Sequence, residues 1–437
     1  MNPSLATPLS LKHERELLCI LAGIQFSHIL DFMVLMPLGP VLIKSLALST
    51  HEFALLVSAY TLAAAVSGFL AAAFVDLFER KRLLLLFFFI FILSTLWCAA
   101  AGSFESLLTA RAMAGAFGGV LAAMVQTMVA DLIPFERRGQ ASASVMSATA
   151  VASVLGVPMA LLLSNVLSWR VPFVAIGVLA AIFLLLASMK LPSLRSHLLH
   201  ARCPQANARI SPTANLVAVL RERNHCLAIL FMALGGGSTF VVIPYITLYL
   251  TGSVGVAAEL IPLVYAIGGT ASFFSARFIG RLADNWGKVK SYRIVAALSI
   301  LPIFALTHLP AVALGWVLLC TTVFFALGPG RAVSAMAITM SAVKPAQRGT
   351  FMSLNAAIQQ MANGLAAYIG GMLISQSVSG EISGYGTAGW VAIVITGMTL
   401  YLSGKIQLHQ VSKHAAVEPE SAAIALAVEV QPAGVSK

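Results

Sequence analysis

ERKRLLLLFFFIFILSTLWCAAA, Glu79–Ala101, sets four charged residues against nineteen with no charge at all. A bilayer core about 30 Å thick needs about 20 apolar residues at about 1.5 Å each. The stretch therefore predicts a membrane-crossing helix, Leu83–Ala101, held at one end by its cations. Outward from it the pattern recurs. Five further runs fill the first half: Leu17–Ile43, Phe53–Phe74, Ser106–Ala130, Gln140–Val166 and Pro172–Met189. Six follow in the second half: Cys226–Leu250, Ala257–Ile279, Ile294–His308, Ala311–Ala342, Gly349–Ile374 and Gly386–Gly404. The first run is too long for a cleaved signal core and is preceded by Glu14 and Glu16.

Composition agrees. Hydrophobic residues make up 59% of the 437 and charged residues 10%, where a soluble domain carries about 25% charged. A water-soluble globule cannot be skinned from this chain, which excludes a soluble enzyme, a nucleic-acid reader and a disordered scaffold. Five cysteines, Cys19, Cys98, Cys203, Cys226 and Cys320, show no CxxC spacing, so neither a disulfide framework nor a metal site is expected.

Orientation follows from Lys and Arg in short loops. With both termini in the cytoplasm, 23 of the 27 cationic residues fall inside. Lys44 and Arg170 fall outside, and Arg111 and Arg331 lie within runs. The net charge of +11 is then a topology signal that also attracts anionic lipid, and no nucleic-acid partner is required. The expected organisation is a cytoplasmic tail (1–16), a six-helix bundle (17–189), a Pro-containing cytoplasmic linker (190–225), a second six-helix bundle (226–404) and a cytoplasmic tail (405–437).

The two halves share landmarks. AAFVDLFERKR (Ala72–Arg82) follows the second run and GRLADNWGKVK (Gly280–Lys290) the eighth, with Asp76 and Asp284 208 residues apart. PFERRG (Pro134–Gly139) follows the fourth and KPAQRG (Lys344–Gly349) the tenth, with Arg138 and Arg348 210 apart. Two matches at nearly one offset indicate a duplicated six-helix unit, a construction used by secondary transporters with the substrate site between the repeats.

On these residues the chain resembles the major facilitator superfamily over residues 15–405. Gly280–Lys288 fits that family's G-x-L-A-D-x-x-G-[RK]-[RK] signature. The first-half copy keeps Asp76, Arg80 and Lys81, with Ala72 and Glu79 where glycines are usual. RAMAG (Arg111–Gly115) looks like the family's R-x-x-x-G element. ASVLGVPMA (Ala152–Ala160) with SWRVPF (Ser168–Phe173) is similar to the drug:proton antiporter and sugar-efflux branch, although Val157 separates Gly156 from Pro158. The resemblance implies an all-α membrane protein of twelve transmembrane helices in two pseudo-symmetric six-helix bundles. It also implies that Arg111 influences proton release from a buried acid.

Asp31, in LDFMVLMPLGP, is the only acidic residue deep inside any run. A charged side chain there is expensive and functional by default, so Asp31 is the expected proton-coupling group. The alternative is an acid that only hydrogen-bonds neighbouring helices. His28 and Gln25 lie on the same helical face at three-residue steps. His28 is either a partner in coupling or a packing residue. Counted from the outer ends of their runs, Asp31 and Arg111 differ in depth by about 10 Å, so pairing needs the long Arg side chain or a water. Otherwise Arg111 snorkels outward. Arg331, after Gly328-Pro329-Gly330, either binds an anionic or hydroxylated substrate group or clamps backbone carbonyls. Asn355, Gln359 and Asn363 form an i, i+4, i+8 stripe expected to line a cavity with Gln25 and Arg331. The third and sixth runs, apolar all round, are expected to face lipid.

Asp76, Arg80, Asp131, Asp284 and Lys288 are expected to form a cytoplasmic gate, with Arg80 facing Asp131. Gly115, Gly156 and Pro158 are expected to serve close packing and a helix kink. No Walker A or HExxH motif is present, so neither ATP drive nor zinc-peptidase chemistry is supported. The expected activity is proton-coupled export of a small organic solute (a drug, sugar, amino acid or siderophore-like metabolite) by a monomer. Such a protein needs no cofactor beyond the proton gradient and is not an enzyme. The alternatives are proton-linked nutrient uptake and a non-transporting membrane binding protein.

Overall fold

Inside a bilayer every backbone N–H and C=O must be satisfied within the protein, which leaves helices or a closed barrel. A computed structural model of the chain describes residues 11–74, 78–134, 137–192, 212–343, 347–377 and 380–408. Among these, eleven helices are long and apolar enough to cross a membrane. The first half supplies Lys12–Val34, Thr50–Ala71, Arg80–Ala100, Phe104–Leu132, Arg138–Val166 and Val171–Lys190, here the first to sixth spans. The second half supplies Arg223–Gly252, Ala258–Trp286, Lys288–Thr307, Leu314–Ser341 and, last, Tyr385–Ser403. Between the last two lies a 26-residue helix, Arg348–Leu373, which completes twelve as the eleventh span. Asn355, Gln359, Gln360 and Asn363 interrupt its apolar face, which is why it reads as the least lipid-like of the set.

Two readings of the span limits are corrected. The first run is not one helix to Ile43. It ends at Val34, turns, and resumes as a short helix, Gly39–Leu46, with a proline in its first turn. Pro37 and Pro40 disrupt helical hydrogen bonding there. The seventh span repeats this design: Arg223–Phe240 gives way to a 3-10 turn, Ile243–Tyr245, at Pro244, and then to Ile246–Gly252. The ninth span starts at Lys288 rather than Ile294, because Lys288, Lys290 and Arg293 sit on its first turns without ending it. Of the residues expected to form a linker, Pro212–Arg221 is a helix and 193–211 lie outside the described residues.

Arg80, Arg138, Lys190, Arg223, Lys288, Arg348 and Lys405 mark span ends that the alternating direction of the helices brings to one face of the molecule, called here the basic face. At the opposite face the two halves lock together. Thr50 Oγ1 donates to the Ile374 carbonyl at 3.0 Å, and Asn165 Nδ2 to the Ala258 carbonyl at 3.1 Å. A Cβ on Gly371 would strike Ala54, and one on Gly39 would lie 3.3 Å from Leu248 Cγ. At the basic face Gly68, Gly139 and Gly349 have open space beside them. The third and sixth spans turn apolar side chains outward at helical spacing, among them Leu86, Phe89 and Leu93, and Val174, Val178, Ile182 and Leu185, as their composition predicted.

Within the fifth span, Ala152–Gly156 is a π-helical turn followed by Val157–Val166 with Pro158 in its first turn. The Val157 N–H bonds the Ala152 carbonyl, five residues back. Proline has no N–H to give to the carbonyl four residues before it, and the wider turn absorbs that defect. Gly156 lets Leu30 approach; a Cβ there would lie 2.8 Å from Leu30 Cδ1. On the other flank, a Cβ on Gly269 would meet the Ser153 backbone. The kink thus seats the eighth span against the fifth.

Candidate functional site

Two polar centres occupy the membrane interior, and they are separate. The first lies wholly inside the first half. Arg111 Nη1 donates to Asp31 Oδ2 at 2.9 Å and to the Asp31 carbonyl at 3.2 Å. Both side chains are 0% exposed. The glycines of the fourth span make this pairing possible. A Cβ on Gly115 would strike the Tyr60 backbone, and one on Gly118 the Tyr60 hydroxyl. Their absence draws the second span close and sets the Tyr60 ring 4.6 Å from the Arg111 guanidinium, a cation–π contact. Tyr60 Oη donates to the His28 carbonyl at 3.3 Å.

Of the two expected ways to bridge the depth difference, the long Arg side chain does so directly. The helix of Asp31 ends at Val34, three residues on, and not at Ile43, while Arg111 lies seven residues into Phe104–Leu132. The offset shrinks to about 6 Å, which an extended Arg side chain spans without a water. Several polar atoms around the pair are buried with no hydrogen-bond partner: Asp31 Oδ1, Arg111 Nε and Nη2, His28 Nε2, Thr95 Oγ1 and Gln25 Oε1. Gln25, His28 and Asp31 carry theirs at three-residue steps along one helix.

The second centre is a cavity of about 450 Å³ between the halves. The first and fifth spans line it on one side and the seventh, eighth, tenth and eleventh on the other. Aromatic and methionine side chains are the bulkiest apolar groups on its walls: Phe32 stacks on Phe240 (6.0 Å between centroids), and Tyr265 meets Phe325 (5.5 Å). Arg331, Gln359 and Asn363 reach it, as their positions predicted. Arg331 Nη2 donates to Ser238 Oγ and Thr239 Oγ1, both at 2.7 Å, and to the Gly235 carbonyl at 3.3 Å. Its Nη1 donates to Thr396 Oγ1 at 3.0 Å. The hydroxyl crown comes from GGGSTF on the seventh span and from the twelfth, and no sequence signal singled it out.

Asp31, His28 and Arg111 do not line this cavity, and neither do Gln25 and Asn355. Gln25 packs toward Met146 of the fifth span. Asn355, 1% exposed, lies one turn nearer the basic face than Gln359, where the helix is packed against its neighbours. Placing Gln25 and Asn355 on the cavity wall is therefore corrected. Both are buried in helix packing nearer the basic face.

Near the basic face Arg80 is ion-paired with Asp131, joining the third and fourth spans of one half. Lys288 Nζ donates to Ser341 Oγ at 2.5 Å, joining the ninth and tenth spans of the other. Asp284 is exposed, with no ion pair to a described residue. Asp76 lies outside the described residues. Both contacts stay within a half, whereas a gate would pair residues across the halves.

The sequence matches the family model for the Major Facilitator Superfamily over residues 21–367. It is 26% identical to a chloramphenicol efflux pump of Mycobacterium tuberculosis over 387 residues, covering 84% of this chain and 87% of that protein. The fold is similar to that of a D-xylose–proton symporter, with TM-score 0.73 and 16% identity, covering 92% of this chain and 100% of that one. It is also similar to a bacterial homologue of the human lysosomal transporter Spinster, in an inward-facing and occupied conformation. There the TM-score is 0.70 and the identity 15%, covering 91% and 97%.

Proposed function

The chain belongs to the major facilitator superfamily, and on that premise we propose that it is a proton-coupled exporter of a small organic solute working by alternating access. Members of this superfamily carry small molecules across a bilayer and are not enzymes. The observation that carries the finer reading is the separation of the two centres. A sealed acid–arginine pair sits inside one half, and a solute-sized cavity lies between the halves. Coupling then needs the first half to change packing as the cavity changes sides, so that Asp31 meets water in one state and Arg111 in the other.

In this reading both termini are cytoplasmic, as the basic loops require, and the basic face is the cytoplasmic one. With the halves locked at the opposite face, the structure is an inward-facing state. Asp31 carries the proton. Arg111 drives it off by forming the ion pair seen here. The stripe of orphaned groups from Asp31 through His28 to Gln25 supplies a route toward the cytoplasm through ordered waters. Arg331, Gln359 and Asn363 hold the solute. In the outward-facing state Arg80, Asp131 and Lys288 exchange their present partners for residues across the halves and, with Asp76 and Asp284, close the cytoplasmic side. One proton entering down 100 mV supplies about 2.3 kcal/mol. Each pH unit adds about 1.36 kcal/mol. The working unit is a single chain in a bacterial inner membrane.

The test compares solutes in the culture medium of a deletion strain, of that strain carrying the wild-type chain, and of that strain carrying D31N. Tolerance of chloramphenicol, the compound named for the mycobacterial relative, is scored in parallel. Export predicts that the wild-type chain alone restores a missing extracellular solute or raises tolerance. No difference among the three strains removes the support for export.

A further inference from the structure

Arg331 is 4% exposed and fronts the central cavity. Its partners are three hydroxyls and one carbonyl, all neutral. Among the described residues, no Asp or Glu lines the cavity and Arg331 has no ion pair. Asp31, the one carboxyl deep in the membrane, lies off the cavity and is already matched by Arg111. Neutral dipoles solvate a guanidinium but leave its full charge in place. Walls of Phe32, Phe240, Phe324 and Phe325 are of low dielectric, so the field of that one cation is focused into the space in front of it.

A cavity with an uncancelled positive charge and aromatic walls fits one kind of occupant. Resting on the transport reading above, we propose that the cavity selects its solute by charge. The solute is an amphipathic organic anion, its carboxylate or equivalent acidic head seated on the Arg331 guanidinium and its apolar body against Phe240 and Phe325. Nη2 is filled by Ser238, Thr239 and the Gly235 carbonyl, so the anion accepts from the second N–H of Nη1, the first being given to Thr396, in a charge-assisted hydrogen bond. Gln359 and Asn363, on the eleventh span, offer amide donors to further polar groups on the same solute. Organic cations, whose binding would need a carboxylate on these walls, are rejected.

The sign of the cavity can be measured without knowing the solute. Thr149 lines the cavity from the fifth span, in the other half from Arg331. T149C is placed in a chain whose Cys19, Cys203, Cys226 and Cys320 are replaced by alanine. The purified protein is treated with two thiosulfonate reagents of similar size, one bearing a sulfonate and one a trimethylammonium group. Each rate is divided by that of the same reagent with a small free thiol. The expected anion-to-cation ratio is about tenfold above unity, falls to about one in R331Q, and is retained in R331K. A wild-type ratio at or below one overturns the proposal, as does a ratio unchanged in R331Q. If R331Q does not fold, the wild-type ratio decides alone. A chain that reacts anion-first yet moves no solute under a gradient keeps the charge assignment and loses the transport reading. A chain that pumps solute but reacts cation-first loses only the charge assignment.

Discussion

Replacing Asp31 by asparagine and Arg111 by glutamine should have unequal effects, and the inequality reports on the pair. Both side chains are 0% exposed and joined at 2.9 Å. In D31N the amide oxygen can still accept from Arg111 Nη1, but the guanidinium cannot shed its proton. A full positive charge is left in a dry interior, at a cost of about 3–5 kcal/mol. In R111Q the remaining carboxyl can neutralise itself by taking a proton. The loss is then that of hydrogen bonds and packing against Tyr60, about 1–3 kcal/mol. The double variant has no charge to bury and should resemble R111Q, giving a coupling energy about equal to the D31N cost, about 3–5 kcal/mol. The assay is thermal unfolding of the purified variants in one detergent. With an unfolding entropy of about 2 cal/mol/K per residue, D31N should melt about 3–5 °C below the wild type. Equal shifts for the two single variants, with a strictly additive double, would refute the reasoning.

Other predictions follow from the packing. G115A gains helix propensity of about 1 kcal/mol but drives a methyl into the Tyr60 backbone, an overpacking of about 1–3 kcal/mol; it should lower thermal stability, and a stabilised variant would contradict the close approach. P158A restores an N–H and should let the π turn at Ala152–Gly156 relax toward regular α-helix, so transport should fall in vesicles while the protein still reaches the membrane. N165C with A258C, at a contact now 3.1 Å from amide to carbonyl, should form a disulfide on oxidation that halts transport, with activity returning on reduction. D131N, which removes the Arg80 partner, should leave melting within about 1 kcal/mol of wild type because the pair is partly exposed.

Much of this architecture was legible because lipid permits so few solutions. Twelve apolar runs, their basic ends and the repeat in Gly280–Lys290 were enough to give the helices, their directions and the family. The amide stripe of Arg348–Leu373 pointed to the cavity because Gln359 and Asn363 have no inexpensive place elsewhere. Hydropathy could not register the breaks at Pro37–Pro40 and at Pro244, since the residues around them are as apolar as the helices they interrupt. That one omission overstated the depth difference between Asp31 and Arg111 and made their contact look remote. Tyr60 went unnoticed because its role depends on glycines in another helix, Gly115 and Gly118, which bring its ring under the guanidinium. The hydroxyls of Ser238, Thr239 and Thr396 were invisible for a similar reason. Each is ordinary in its own helix, and only the meeting of three helices makes them a cradle for Arg331. Arg80 meets Asp131 as expected, because the two lie at neighbouring span ends, and like Lys288 with Ser341 that contact ties spans of one half.

The central claim is that Asp31, sealed in this conformation, takes up and releases a proton as the protein cycles. Infrared difference spectroscopy of the protonated-carboxyl stretch, on wild type and D31N reconstituted in lipid and titrated in H₂O and D₂O, tests it without any knowledge of the solute. The account predicts a carboxyl band that titrates, shifts in D₂O and is missing from D31N. A spectrum in which no titrating, exchangeable carboxyl is lost with Asp31 would contradict it.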